Sequence, residues 1–216
     1  MNYLKIKRSL GFSIAFVACL VLIPVFILIM AAIKIESRGP VFFKQKRVGL
    51  NKNHFNILKF RTMYIETPND TPTHLLADPD VYITRVGKIL RKTSLDELPQ
   101  LFNILKGEMA FVGPRPALWN QYDLIDERDK YQANDILPGL TGWAQINGRD
   151  ELPIKRKAEL DGDYVKKISF VTDTRCFIET IFSVLKSDGV VEGGDTMLKN
   201  KQITKKEIAV SELKEK

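Results

Sequence analysis

Residues 10–33, LGFSIAFVACLVLIPVFILIMAAI, carry no charge, and their reading decides how the rest of the chain is arranged. As one straight helix the run would extend about 36 Å, enough to cross a bilayer. It is too long for a signal peptide, and no A-x-A cleavage site precedes the polar chain. Pro24 stands near its middle, where the missing N–H removes a helix hydrogen bond and kinks the axis. Prolines are nevertheless tolerated in spanning helices. Cations flank both ends: Lys5, Lys7 and Arg8 before, then Lys34, Arg38, Lys44, Lys46 and Arg47 after. A single span would split these clusters across the membrane, against the tendency of cations to stay in the cytoplasm. A helix broken at Pro24 could enter and leave through one face. Both readings stand on these residues, and the re-entrant hairpin agrees with both features.

Outward from this run the chain turns polar. Gly39-Pro40 ends the membrane segment. Val41–Arg47 and Phe55–Arg61 are short, mix apolar with basic residues and are separated by GLNKN, the pattern of a β-hairpin. Alternation places Lys59 and Arg61 on one face of the second strand. Charges on a solvated edge strand would look the same. Residues 66–80 are turn-rich and read as a loop. Helical periodicity spans Val81–Arg91, with Arg85, Lys88 and Lys92 on roughly one face, and resumes from about Asp96 to Leu105 before Gly107 stops it. Leu98, Leu101, Phe102 and Leu105 recur at helical spacing and belong to a core or a membrane face. PGLTGWAQINGR at 138–149 reads as a shaped loop, and 154–167 and 173–187 as helices. The polar end of the chain lacks a burying pattern and is expected to be a disordered tail or a loosely attached helix.

The 216 residues hold one domain plus an attached segment, and the formal charge of +7 calls for anionic partners. Cys19 and Cys176 have no plausible pairing, which indicates a reducing compartment. With His54 and His74 they match no zinc spacing, and no P-loop or GxGxxG occurs.

Chemistry concentrates in RVGKILRKTSLDELPQLFNILKGEMAFVGPRP, residues 85–116. Pro99 fits only the first turn of a helix, so the adjacent carboxylates Asp96 and Glu97 are placed at its positive end. Ser94-x-x-Glu97 equally fits a capping box, a purely structural use. Arg91 lies a short turn away, and Arg115 is held between Pro114 and Pro116. Guanidinium groups suit phosphate through paired hydrogen bonds. An aspartate of lowered pKa can attack phosphorus, and a neighbouring glutamate can hold Mg²⁺ against a diphosphate.

The segments GPVFFKQKRVG, LKFRTM, TRVGKILRKTSLDELPQLFNILKGEMAFVGPRP, PGLTGWAQINGR and ELDGDYVKKISF together resemble the bacterial sugar transferases that start surface-glycan synthesis, the small monotopic phosphoglycosyl transferases. The likeness covers about residues 5–190. It implies that a UDP-sugar, an N-acetylated hexose by expectation, gives its sugar phosphate to polyprenyl phosphate and releases UMP. It also implies Asp96 as the nucleophile of a covalent phosphosugar intermediate and Glu97 as the Mg²⁺ ligand. Lys59, Arg91, Arg115, Arg149 and Asp161 are carried over as substrate-binding or site-shaping positions. The family's membrane helix breaks within Ser-Pro; here the pair is Ile23-Pro24, which removes one hydroxyl partner for the freed carbonyls.

The expected fold is thus a mixed α/β domain with a small hairpin or sheet, an N-terminal re-entrant helix and interfacial amphipathic helices. Residues 1–38 form the membrane segment, 39–190 the catalytic domain on the cytoplasmic face of a bacterial inner membrane, and 191–216 a polar tail. Two other readings compete. Asp78-Pro79-Asp80 or Asp161-Gly162-Asp163 could be the metal-binding D-x-D of an ordinary glycosyltransferase, which would release UDP. A tethered binding module would use the basic surface for anionic lipid or nucleic acid. Sparse aromatic-basic interleaving speaks against nucleic acid, and none is expected as a partner.

Overall fold

The computed structural model describes residues 2–67, 79–148 and 152–185. The apolar run is divided between α1 (Asn2–Val21) and α2 (Ile23–Glu36), bent by 62° at Leu22. Pro24 sits in the first turn of α2, where a missing N–H sacrifices nothing, and Phe26 N still reaches Leu22 O at 2.9 Å. Among the described residues no single helix is long and apolar enough to cross a membrane; the bent pair together passes that test.

One side of this pair is core. Ala15, with Ala18 and Cys19 beside it, packs on Ile57, Leu101, Ile104 and Met109. Phe26, Ile29 and Ile33 pack on Phe60 and Leu90. The other side leaves Leu10, Phe12, Phe16, Leu20, Ile27 and Leu28 exposed. Both ends are tied down. Tyr3 donates to Asp173 at 2.7 Å and Lys7 lies 2.9 Å from the same carboxylate. At the far end Glu36 accepts the backbone N–H of Arg85 at 2.7 Å and of Val86 at 2.9 Å.

β1 (Phe42–Val48) and β2 (His54–Phe60) form the expected hairpin, each within a residue of its sequence-derived bounds. They pair antiparallel, with Phe43 opposite Lys59 and Arg47 opposite Phe55. Asn51 and Lys52 take positive φ in the connecting turn.

Three sequence readings change. The helix expected over 81–91 is two pieces, α3 (Pro79–Tyr82) and α4 (Arg85–Lys92). Thr84 breaks them by going extended and capping α4, its hydroxyl accepting from Gly87 N at 2.8 Å. The helix expected from Asp96 is a single 3-10 turn over Leu95–Glu97, then α5 (Gln100–Leu105) with Pro99 ahead of it. Ser94 adopts the left-handed conformation, φ 56°, and its side chain caps nothing, so the capping box does not form. The loop expected at 138–149 contains strand β4 (Gly139–Thr141) and a helical turn, α7 (Trp143–Ile146). β4 pairs in parallel with β3 (Ala110–Val112). A side chain on Gly139 would run into the backbone nitrogen of Gly113, and one on Gly142 into the Gly113 carbonyl, so glycine is what allows the approach.

The remaining helices are α6 (Tyr122–Asp129), α8 (Ile154–Lys166) and α9 (Phe170–Leu185). A buried Arg128–Asp161 pair ties α6 to α8. α9 turns Asp173, Cys176 and Thr180 inward and leaves Phe170, Val171, Phe177, Ile178, Ile181 and Phe182 exposed. The mixed helix-and-sheet class is the expected one. The tail, 191–216, lies outside the described residues.

Candidate active site

Ser94 turns the chain left-handed, and the tight turn behind it directs Asp96 and Glu97 toward the end of β2. Lys59, near the end of that strand, donates to Glu97 Oε1 at 2.6 Å and lies 3.7 Å from Asp96 Oδ2. Arg115 Nη2 donates to the same Glu97 oxygen at 2.9 Å. Arg91 holds Thr62 Oγ1 through its Nε at 2.9 Å and acts on Asp96 through its charge. Five of the seven sequence-derived positions, Lys59, Arg91, Asp96, Glu97 and Arg115, therefore meet in one electrostatic cluster.

The other two are not brought there by any described contact. Arg149 lies outside the described residues. Asp161 is 1% exposed and receives Nε and Nη2 of Arg128 on Oδ2, at 2.8 and 2.6 Å. Enclosed and paired with Arg128, it gives no support to an Asp161-Gly162-Asp163 metal motif; Asp78 of the alternative motif lies outside the described residues. Arg61, expected beside Lys59, turns instead to the carbonyls of Ser37 and Arg38. The strand ends at Phe60, so alternation no longer governs it. Thr62, which holds Arg91, escaped sequence reasoning; its place next to Arg61 in the LKFRTM motif was the one available sign.

Electrostatics separates the two carboxylates. Burial is the largest influence on both and favours the neutral acid. For Asp96 it prevails, helped by the negative charge of Glu97 and opposed by Lys59, Arg91 and Arg115, so its pKa is raised. This is opposite to the lowered value expected at a helix's positive end, because the residue is buried in a turn ahead of α5. For Glu97 the burial is outweighed by Arg115 and Lys59, each adding a hydrogen bond, and its pKa is held well below the usual range. Neighbouring groups whose environments drive them apart are suited to different tasks. Elsewhere burial pushes the Cys176 thiol up to about 11, which leaves little thiolate at neutral pH.

Among the described residues no group of three or more His, Cys, Asp or Glu side chains converges as a metal cage. Mg²⁺ does not require one: it is commonly held by one or two carboxylates with substrate phosphates and water. Lys59 and Arg115 both meet Glu97 through Oε1, which leaves its second oxygen clear of these two cations as the one carboxylate donor such a site needs.

Residues 2–187 match the family described as bacterial sugar transferase. The chain is 42% identical over 187 residues to the uncharacterised sugar transferase EpsL of Bacillus subtilis, covering 87% of this chain and 90% of that protein. It is 40% identical over 185 residues to an undecaprenyl-phosphate glucose phosphotransferase of Komagataeibacter xylinus, 81% of this chain but 35% of that protein. It is 37% identical over 195 residues to a UDP-N-acetylgalactosamine-undecaprenyl-phosphate N-acetylgalactosaminephosphotransferase of Aeromonas hydrophila, 87% of this chain and 45% of that protein. The chain thus spans less than half the length of these two phosphotransferases.

Proposed function

The chain belongs to the bacterial sugar transferase family, and from that premise we propose that it moves a sugar 1-phosphate from a UDP-sugar to a polyprenyl phosphate, undecaprenyl phosphate in particular, releasing UMP. The observation that carries the reading is the pairing of a buried, charge-flanked Asp96 with a Glu97 gripped by two cations.

Asp96 is the nucleophile. Its ionised Oδ attacks the β-phosphorus, the bond from that phosphorus to the bridging oxygen breaks, and UMP leaves with the electron pair. An oxygen of polyprenyl phosphate then attacks the same phosphorus, the bond to Oδ breaks, and the carboxylate is restored. Both attacking groups are anions, so no separate protein base is needed. Arg91, Lys59 and Arg115 supply positive charge where negative charge accumulates. Asp96, buried but for 8% of its surface, faces little competing water. Glu97 would hold Mg²⁺, which when bound supplies charge neutralisation to the diphosphate.

The bent helix pair seats this site at a membrane surface. Its two ends are held by the same body, through Asp173 at one and Arg85–Val86 at the other, an arrangement that favours entry and exit through one face. The exposed apolar face of α9, which carries the Asp173 that anchors α1, suits an interfacial helix. The lipid phosphate lies at that level, while the sugar nucleotide arrives from the cytoplasm. A cysteine introduced at Tyr3 is expected to react only from the cytoplasmic side; periplasmic labelling would restore a single span.

The reaction is tested by nucleotide release from purified protein with Mg²⁺, undecaprenyl phosphate and a panel of UDP-sugars, including UDP-glucose and the UDP-N-acetylhexosamines. UMP dependent on Mg²⁺ and acceptor is expected, and the panel names the sugar. UDP would indicate an ordinary glycosyltransferase instead.

A further inference from the structure

Resting on that reading of the reaction, we infer that Arg47 is a positioning residue that sets Arg115 against Glu97, and that Gln45 holds Arg47 in turn. In the β1–β2 register Phe43 faces Lys59, Gln45 faces Ile57 and Arg47 faces Phe55. Directly paired residues and those two apart share a face, so Gln45, Arg47 and Lys59 point to the same side of the hairpin. Lys59 uses that face to reach Glu97 itself. Arg47 reaches the same carboxylate at one remove. Its Nη1 donates to the carbonyl of Pro116 at 3.1 Å, and the residue before that proline is Arg115, whose Nη2 meets Glu97 at 2.9 Å.

The Gly113–Pro116 loop is gripped at its start by β4, Gly113 N donating to Thr141 O at 2.8 Å and Gly139 N to Pro114 O at 2.9 Å. Its far end is gripped by β1 through Arg47 and through Val48 N, which donates to Ala117 O at 2.9 Å. Prolines at 114 and 116 fix their own φ and restrict the residues before them. The backbone direction of Arg115 is therefore set by how these ends are held, and the Arg47 bond restrains the Pro116 end. Arg47 is itself fixed: its Nη2 donates to Gln45 Oε1 at 2.6 Å. A guanidinium is suited to this because its two terminal nitrogens address two acceptors in one plane; a lysine offers a single point. One strand face thus delivers one cation to Glu97 and aims the other.

The test is a double-mutant cycle on the full chain, reading kcat and KM for UMP release together with the thermal midpoint. Arg47→Met is expected to lower kcat/KM roughly tenfold, and Gln45→Met roughly threefold, with the thermal midpoint little changed. In an Arg115→Met background the Arg47→Met change is expected to have almost no further effect, because the group it aims is gone. Arg47→Lys is expected to rescue only part of the loss. Losses that multiply in the double variant, or wild-type kinetics in Arg47→Met, would overturn the role. If Arg47→Met does not fold, Gln45→Met carries the same cycle. A wild-type chain that releases no UMP from any donor sinks the functional reading and this inference with it; multiplying losses in an active enzyme sink the inference alone.

Discussion

Asp96 with its cations and Asp161 with Arg128 use the same chemistry to opposite ends. In the second, both side chains are almost wholly enclosed, 4% and 1% exposed, and two nitrogens converge on one oxygen. Enclosed this way, the pair gives a ligand no approach. In the first, the side chains of Lys59, Arg115, Asp96 and Glu97 stay 19%, 36%, 12% and 18% exposed, and two cations share Glu97 while a second carboxylate waits beside it. The difference is one of access. A paired, sealed carboxylate holds helices together, whereas two carboxylates among unequal cations have their pKa values driven apart and can divide a reaction between them.

Substitution should separate the two regions sharply. Asp96→Asn is expected to reduce UMP formation by about a thousandfold or more while the protein stays folded, as loss of a covalent nucleophile requires. Near-normal turnover would remove Asp96 from the chemistry. Asp161→Asn is expected to do the reverse, lowering stability by about 3–5 kcal/mol by leaving Arg128 buried and unpaired, with the surviving folded fraction keeping most of its kcat. Denaturant unfolding in detergent measures the first effect and single-turnover kinetics the second. An Asp161→Asn protein that is stable but inactive would make that residue a direct participant.

Glu97→Gln is expected to lower turnover by about a hundredfold and to raise the Mg²⁺ concentration needed for half-maximal rate. An unchanged Mg²⁺ requirement would place the metal elsewhere.

The smallest effect is in pH dependence. Asp96 has a raised pKa, so its contribution to folding is fully present below its unfolded value and lost as pH rises through the raised folded value. Glu97, with a lowered pKa, contributes above its unfolded value and loses that as pH falls through the folded one. Asp96→Asn should therefore be at least as stable as the wild type at pH 7, its advantage shrinking toward about pH 4. Wild-type activity should fall on the acid side at a pH above the ordinary carboxylate range; a limb at or below that range would mean that burial does not govern Asp96.

The parts legible in the sequence were those with local signatures. The hairpin of β1 and β2 shows in its alternation, and the helix break in Pro24. Lys59 was legible as a strand-face cation, and Arg91 and Arg115 as guanidiniums near the carboxylates along the chain, though nothing in their spacing says which carboxylate they meet. What failed locally depended on distant contacts or on single dihedrals. Ser94 belongs to a plausible capping box until its left-handed backbone withdraws the hydroxyl. β4 is three residues long and pairs with a strand some thirty positions earlier, too short for alternation to register. Asp161 sat in a matching motif, yet its partner, Arg128, lies in a helix no motif marked. The ties that hold α1 and α2 to the body, Tyr3 and Lys7 to Asp173 and Glu36 to α4, are long-range and polar, and no periodicity announces them.

The most direct measurement is to incubate the protein with Mg²⁺ and a UDP-sugar labelled in the β-phosphate, without any lipid acceptor, and follow both UMP and the label. A burst of UMP matching the enzyme concentration, with label on the peptide containing Asp96 that chases into lipid when undecaprenyl phosphate is added, is expected. UMP that appears only with acceptor, with no label ever on the protein, would contradict the covalent role of Asp96.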